Sequence, residues 1–292
     1  MNLQNPKKFK MLVDQAHEVA LHVLRPVSRK YDKAEHAYPK ELDMLASLVD
    51  GMNEGGEGMN AGAAGAGNRS ESDNEGNRNG TNMSTALSII EMCYGDTGLL
   101  LSMPRQGLGN SAIAAVANDE QLERFKGTWA AMAITESGCG SDSAAIRTTA
   151  IKDGDDYILN GEKIFVTSGE RADSVVVWAT LDKKLGRAAI KSFVVPKGTE
   201  GMKVERLEHK LGIKASDTAV ISFIDCRVPA ANLLGNAEVD VAKGFAGVME
   251  TFDNTRPLVA AMAIGCAKAS LERIKEIFKD QLDADYKTPY LQ

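Results

Sequence analysis

Phe9, Leu12, Val13, Ala16, Val19, Ala20, Val23, Leu24 and Val27 recur at steps of three and four, which places them on one face of a helix over 8–27. Pro26 is expected to kink or end that helix. Leu42, Met44, Leu45, Leu48 and Val49 follow Pro39 with the same spacing and predict a second helix, with the proline in its first turn. Residues 51–80 are rich in glycine and asparagine and almost lack large apolar side chains. They predict a mobile loop, because too little surface can be buried there to offset the entropy of ordering. Helical spacing resumes at Met83, breaks at Tyr94-Gly95-Asp96-Thr97-Gly98, and returns over 110–117, so residues 1–128 read as an all-helical domain.

At Trp129 the period changes. Ala130–Ile134, Ala145–Ile151, Tyr157–Val166, Ser174–Ala179, Ala189–Val194 and Thr218–Ile224 are short segments, most of them β-branched. Turn signals accompany them at Asp153-Gly154-Asp155, Asn160-Gly161, Pro196-Lys197-Gly198 and Pro229. Close spacing without long intervening helices predicts an antiparallel β sandwich or small barrel over 129–237. Helical spacing then returns from Val241 to Phe278, interrupted by Pro257. The fold class is therefore α+β and multidomain: an N-terminal all-α domain, a middle antiparallel β barrel or sandwich, and an incomplete C-terminal helical domain over 238–292.

Composition narrows the function. With 292 residues, 43% of them hydrophobic, the chain can bury a sizeable core. Its net charge of −6 offers no attraction to nucleic acid or an anionic membrane. No apolar run reaches membrane-span or signal-peptide length, so the expected compartment is cytoplasmic. Cys93, Cys139, Cys226 and Cys266 lie far apart and predict reduced thiols rather than a disulfide or zinc framework. His17, His22, His36 and His209 show no ligand spacing, so no metal is expected.

Candidate chemistry centres on 129–142, where a buried strand gives way to Thr135, Gly138, Gly140 and Ser141. Glycines that allow close approach, beside hydroxyl donors, suit an anionic or heteroaromatic ligand; an ordinary strand-to-loop turn explains the same residues. Further along, the chain carries Asn160-Gly161-Glu162-Lys163-Ile164-Phe165-Val166-Thr167-Ser168-Gly169, Lys210-Leu211-Gly212-Ile213-Lys214-Ala215-Ser216-Asp217-Thr218 and Phe252-Asp253-Asn254-Thr255-Arg256-Pro257. With Ile134-Thr135-Glu136-Ser137-Gly138-Cys139-Gly140-Ser141-Asp142, these four motifs stand in the order of the acyl-CoA dehydrogenase family, which the chain resembles from about Trp129 onward.

The resemblance implies α,β-dehydrogenation of an acyl-CoA thioester to the trans-2-enoyl-CoA. That chemistry needs FAD to accept a hydride, a base to take the α proton, and a dry slot. Ile134, Thr135, Gly140, Ser141, Phe165, Val166 and Thr167 would line the flavin. Thr135 would bond the pyrimidine side of the ring, Ser141 would approach the pyrophosphate, Phe165 would stack where many relatives carry tryptophan, and Thr167 would face N5. Ser141, Asp253, Asn254, Thr255 and Arg256 would contact the acyl-CoA, and Gly95–Leu100 would resemble the stretch beside the acyl chain.

The family's glutamate base has no counterpart in this pattern. Most relatives carry it in later helices; some place it at the position of Thr255, and threonine cannot serve. Glu250 lies about 140° around the helix from Thr255, away from the same slot. The catalytic base is therefore unassigned, and the expectation is a C-terminally truncated member with weakened flavin retention and impaired turnover. An electron-transfer flavoprotein as partner and a homo-oligomer through the helical domains follow from the resemblance. Two alternatives stand beside it: a catalytically silent flavin- and acyl-CoA-binding subunit needing a partner chain, and an acyl-CoA oxidase.

Overall fold

The computed structural model describes residues 7–54, 81–239 and 246–282. Its first helical stretch is α1 (Lys10–Val19), a π turn over Ala20–Leu24, and α2 (Arg25–Lys33). Ala16, Ala20, Leu24 and Tyr31 are buried on one side, as the apolar spacing requires. Pro26 sits in the first turn of α2, directly after the π turn. Its missing N–H is absorbed by a local change of helix type, not by a break.

The next helix, α3 (Glu41–Glu54), runs four residues into the stretch expected to be a loop. A glycine inside a helix costs about 1 kcal/mol, and the burial of Leu42, Leu45 and Val49 earlier in the same helix offsets it. The rest of that expected loop, 55–80, lies outside the described residues. Then follow α4 (Thr81–Gly95), α5 (Thr97–Leu101), α6 (Leu108–Val116) and α7 (Asp119–Arg124).

The last helix, α8 (Ala246–Leu282), continues through Pro257, which lies on its exposed side, so the expected interruption does not occur. It crosses α4 closely: a Cβ at Gly265 would stand 2.3 Å from the Ile90 carbonyl oxygen. Leu258 and Ala261 join Ile89, Met92, Leu99 and Met103 in one core. The buried Glu91 carboxylate on α4 ties three helices together, holding His17 Nδ1 of α1 and Lys268 Nζ of α8, each at 2.8 Å. On its other side α8 exposes Ile264, Leu271, Ile274 and Ile277.

Between these helices lies one seven-stranded curled sheet. Its strands are β1 (Ala130–Ala133), β2 (Thr149–Asp153), β3 (Asp156–Thr167), β4 (Ser174–Thr180), β5 (Ile190–Pro196), β6 (Met202–Leu207) and β7 (Thr218–Pro229). The order is β1-β4-β2-β3-β7-β6, with β5 paired to β4. Pairing is antiparallel along β2-β3-β7-β6 and β4-β5, as expected, but β1 runs parallel to β4. The β2-β3 hairpin and its flanking segments form the long crossover that parallel neighbours need.

Two local readings change. Asn160-Gly161 is no turn; β3 continues through it with a register shift against β7 between Leu159 and Gly161. Strand β6 was not expected, because Lys203, Glu205 and Arg206 break its apolar pattern; such charges suit an edge strand, where they discourage pairing with other chains.

Candidate functional site

Strand β1 ends in a tight turn. Glu136 N–H donates to the Cys139 carbonyl at 3.0 Å and Cys139 N–H donates back at 3.1 Å. Inside it the buried Glu136 carboxylate accepts from Arg147 N–H (2.7 Å), Thr148 N–H (2.9 Å), Thr148 Oγ1 (2.6 Å) and Lys163 Nζ (2.7 Å). Lys163 is fully buried on β3 and also donates to the Ile134 carbonyl at 3.1 Å. Burial disfavours charge on Glu136, but the Lys163 ammonium and the donated hydrogen bonds outweigh it, so the carboxyl titrates below its usual range. Ile164 N–H donates to the Thr135 carbonyl at 2.9 Å, completing a fixed junction between the β1 turn and β3.

Beyond Lys163 the β3 register shifts again, between Lys163 and Val166. Side chains that alternate strictly would put 163 and 166 on opposite faces, yet both are fully buried. The extra residue is taken up by Phe165 in the left-handed region (φ 57°), a costly conformation for a bulky residue, which leaves its ring 60% exposed. A large aromatic ring held outward by a strained bulge is a feature that core packing does not explain.

These elements frame one cavity of about 510 Å³. Ile134, Thr135, Gly140 and Ser141 of the β1 turn and Phe165, Thr167 and Ser168 of the bulge line one side. Phe252, Thr255, Arg256, Leu258, Val259 and Met262 of α8 line another, and Leu100, Leu101 and Leu108 add apolar wall. Helix α6 lies against β1 here with no room for a side chain between them, since a Cβ at Gly109 would stand 2.3 Å from the Ala130 carbonyl oxygen. Thr255 is buried and its hydroxyl donates to the Thr251 carbonyl at 2.9 Å. Among the described residues, no carboxylate and no imidazole lines the cavity.

Of the sequence-predicted site residues, Ile134, Thr135, Gly140, Ser141, Phe165, Thr167, Thr255 and Arg256 thus meet at one place. Val166 does not; its side chain is buried in the sheet core with Leu159 and Ala219. Asp253 is exposed and bound to Arg256 at 3.2 Å, outside the lining. The Asn254 and Glu250 side chains lie outside the described residues. Sequence reasoning missed Met132, although Ala130, Met132 and Ile134 share a face at period two and all three line the cavity. It also missed Gln106 and Gly107, which come from the irregular segment before α6 and carry no local signal.

Comparison with known proteins agrees with this architecture. Residues 131–226 match the acyl-CoA dehydrogenase middle-domain family. The acryloyl-CoA reductase (NADH) of Anaerotignum propionicum is 33% identical over 287 residues, spanning 93% of this chain and 66% of that protein. The mitochondrial short-chain specific acyl-CoA dehydrogenase of Rattus norvegicus is 31% identical over 289 residues, spanning 93% of this chain and 63% of that protein. The solved butyryl-CoA dehydrogenase of Megasphaera elsdenii superposes with a TM-score of 0.76 at 29% identity, covering 99% of this chain and 73% of that one. The chain belongs to the acyl-CoA dehydrogenase family. It spans 52–66% of the length of the first three curated relatives it matches.

Proposed function

We propose that this chain builds the flavin- and acyl-thioester-facing walls of an FAD-dependent acyl-CoA dehydrogenase. The observation that carries the reading is that Thr135, Ser141, Phe165 and Thr167, from two separate segments, face one cavity whose opposite wall is α8. The residues fit the group: hydroxyls and a glycine at the rim, an outward aromatic ring at the bulge, and open space where a Gly140 side chain would stand. FAD, when bound, supplies the hydride acceptor for forming a carbon–carbon double bond.

The chain's own residues position and exclude. Thr135 and Thr167 present hydroxyls from backbone that Glu136 and Lys163 hold rigid, so little reorganisation is needed on binding. Phe165 offers a ring face for stacking. Leu100, Leu101, Leu258 and Met262 keep the slot dry for an acyl chain, and Arg256 supplies a cation for the phosphorylated end of a coenzyme A thioester. Thr255 keeps its proton within α8, so the group that takes the α proton is none of the described lining residues. The exposed apolar side of α8 suits contact with a second copy. An electron-transfer flavoprotein as acceptor belongs to the same proposal. Among the described residues, no helix is long and apolar enough to cross a membrane.

That no described lining residue is a carboxylate favours a second reading, a silent flavin- and acyl-CoA-binding subunit completed by a partner chain. One titration separates the readings. The purified chain is loaded with FAD and mixed with short-chain acyl-CoA without oxygen. Bleaching of the flavin band supports the dehydrogenase; a retained band that never bleaches supports the silent subunit. Peroxide release in air points to an acyl-CoA oxidase. Failure to take up FAD at all overturns the common core of the proposal.

A further inference from the structure

The four histidines carry no metal spacing in sequence, yet the fold gathers two of them beside a carboxylate. Glu35 and His36 lie in the connection after α2, and His209 follows β6. One donor atom from each of Glu35, His36 and His209 lies within 4.8 Å of the other two. The Glu35 Oε2 to His209 Nδ1 distance is 3.0 Å, and the two imidazole rings stand 5.3 Å apart between centroids. Glu35 is already aimed, because Lys210 N–H donates to its other oxygen at 2.9 Å. The Lys210 ammonium turns away, toward the Ser216 carbonyl and Thr218 Oγ1.

His36 supplies an independent observation. Both its ring nitrogens are shut off from solvent without a hydrogen-bond partner. Its backbone takes the left-handed region (φ 69°), unusual for a residue other than glycine. Buried polar atoms are normally satisfied, so an imidazole held this way lacks a partner that a cation would provide.

We propose that Glu35, His36 and His209 bind a divalent transition-metal ion of the zinc, cobalt or nickel type. Two imidazoles and a carboxylate select such ions over magnesium or calcium, which prefer all-oxygen sets. Ligand bonds of about 2.0–2.2 Å put any two donors within about 4.4 Å of each other, a span that Glu35 and His209, 3.0 Å apart, already meet. His209, 84% exposed at its side chain, has room to adjust about its contact with Glu35. Remaining coordination positions go to water. An ion there joins the α2 connection to the segment between β6 and β7, and so clamps the helical layer to the sheet.

The test uses the full chain stripped with a chelator and titrated with Co²⁺, whose visible bands report coordination, then with Zn²⁺ in competition. One equivalent binds, and the melting temperature rises with saturation. His209→Ala and His36→Asn, the latter able to keep the left-handed backbone, each weaken Co²⁺ binding by at least about tenfold, the cost of losing even an outer partner in a metal site. His22→Ala, which removes an exposed imidazole paired with Glu18, leaves binding unchanged. Three results overturn the proposal: no visible band with the wild-type chain, equal binding by His209→Ala, or the same thermal shift with Mg²⁺. No outcome depends on flavin or acyl-CoA.

Discussion

Lys163 and Glu136 lie 27 positions apart in sequence and form the contact that holds the cavity's rim. Removing one partner of a buried pair leaves an uncompensated charge, at a cost of about 3–5 kcal/mol. Lys163→Met is therefore expected to lose that much in urea unfolding, and so is Glu136→Gln, which strands the buried Lys163 and turns an amide NH2 toward a donor, because Arg147 N–H and Thr148 N–H bond different carboxylate oxygens. The pH dependence has a definite sign. The Glu136 carboxyl is depressed in the folded chain, so its contribution is fully present above the unfolded value of about 4.5. It fades as pH falls through the lower folded value. The stability gap between wild type and Glu136→Gln should narrow below pH 4.5; a gap that stays constant there would contradict this account. Phe165 behaves in the opposite way. Its ring is 60% exposed, so Phe165→Ala should change stability by less than about 0.5 kcal/mol while lowering the flavin-to-protein ratio after loading, and Phe165→Trp should preserve that ratio. The Phe165 motif was readable as a string of residues. The strained bulge that turns the ring outward was not, because it depends on register against β7.

At the scale of elements, periodicity located most helices and strands. It failed where packing overruled local preference: α3 continues through Gly51, α8 passes Pro257, and β6 forms from a charged segment. The crossing of α4 and α8 gives a direct test of that hierarchy. By propensity alone, Gly265→Ala would stabilise α8 by about 1 kcal/mol. The new Cβ would meet the Ile90 carbonyl oxygen at 2.3 Å and Cys93 Cβ at 2.8 Å. Backbone on a neighbouring helix cannot yield cheaply, so the net effect is expected to be a loss of about 1–3 kcal/mol, read as a lower denaturant midpoint. An increase would mean that the helices separate without cost.

At the scale of the whole molecule, Arg171 joins the layers. Its guanidinium donates to the Ala37 carbonyl (2.9 Å), the Ala215 carbonyl (2.9 Å) and Ser102 Oγ (3.2 Å), and pairs with buried Asp217 at 3.3 Å. Arg171→Met leaves the Asp217 charge buried and should cost about 3–5 kcal/mol. Trp129 lies in the sheet core and Trp178 where the sheet packs on α6, so tryptophan fluorescence follows the sheet and that contact while far-ultraviolet dichroism follows the helices as a whole. The two unfolding curves should separate in that variant, and coincident curves with an unchanged midpoint would show that the layers are held elsewhere. From the sequence alone came the order of helical and sheet regions, the hydroxyl-bearing turn at 135–141 and the aromatic segment around 165, since side-chain periodicity and turn chemistry are local properties. Only the tertiary structure decided that Thr135, Thr167 and Thr255 share a cavity, that Val166 turns away from it, and that Glu35, His36 and His209 meet. Those facts rest on strand register, bulges and helix crossings, which bring distant residues together through packing that no local window of sequence contains.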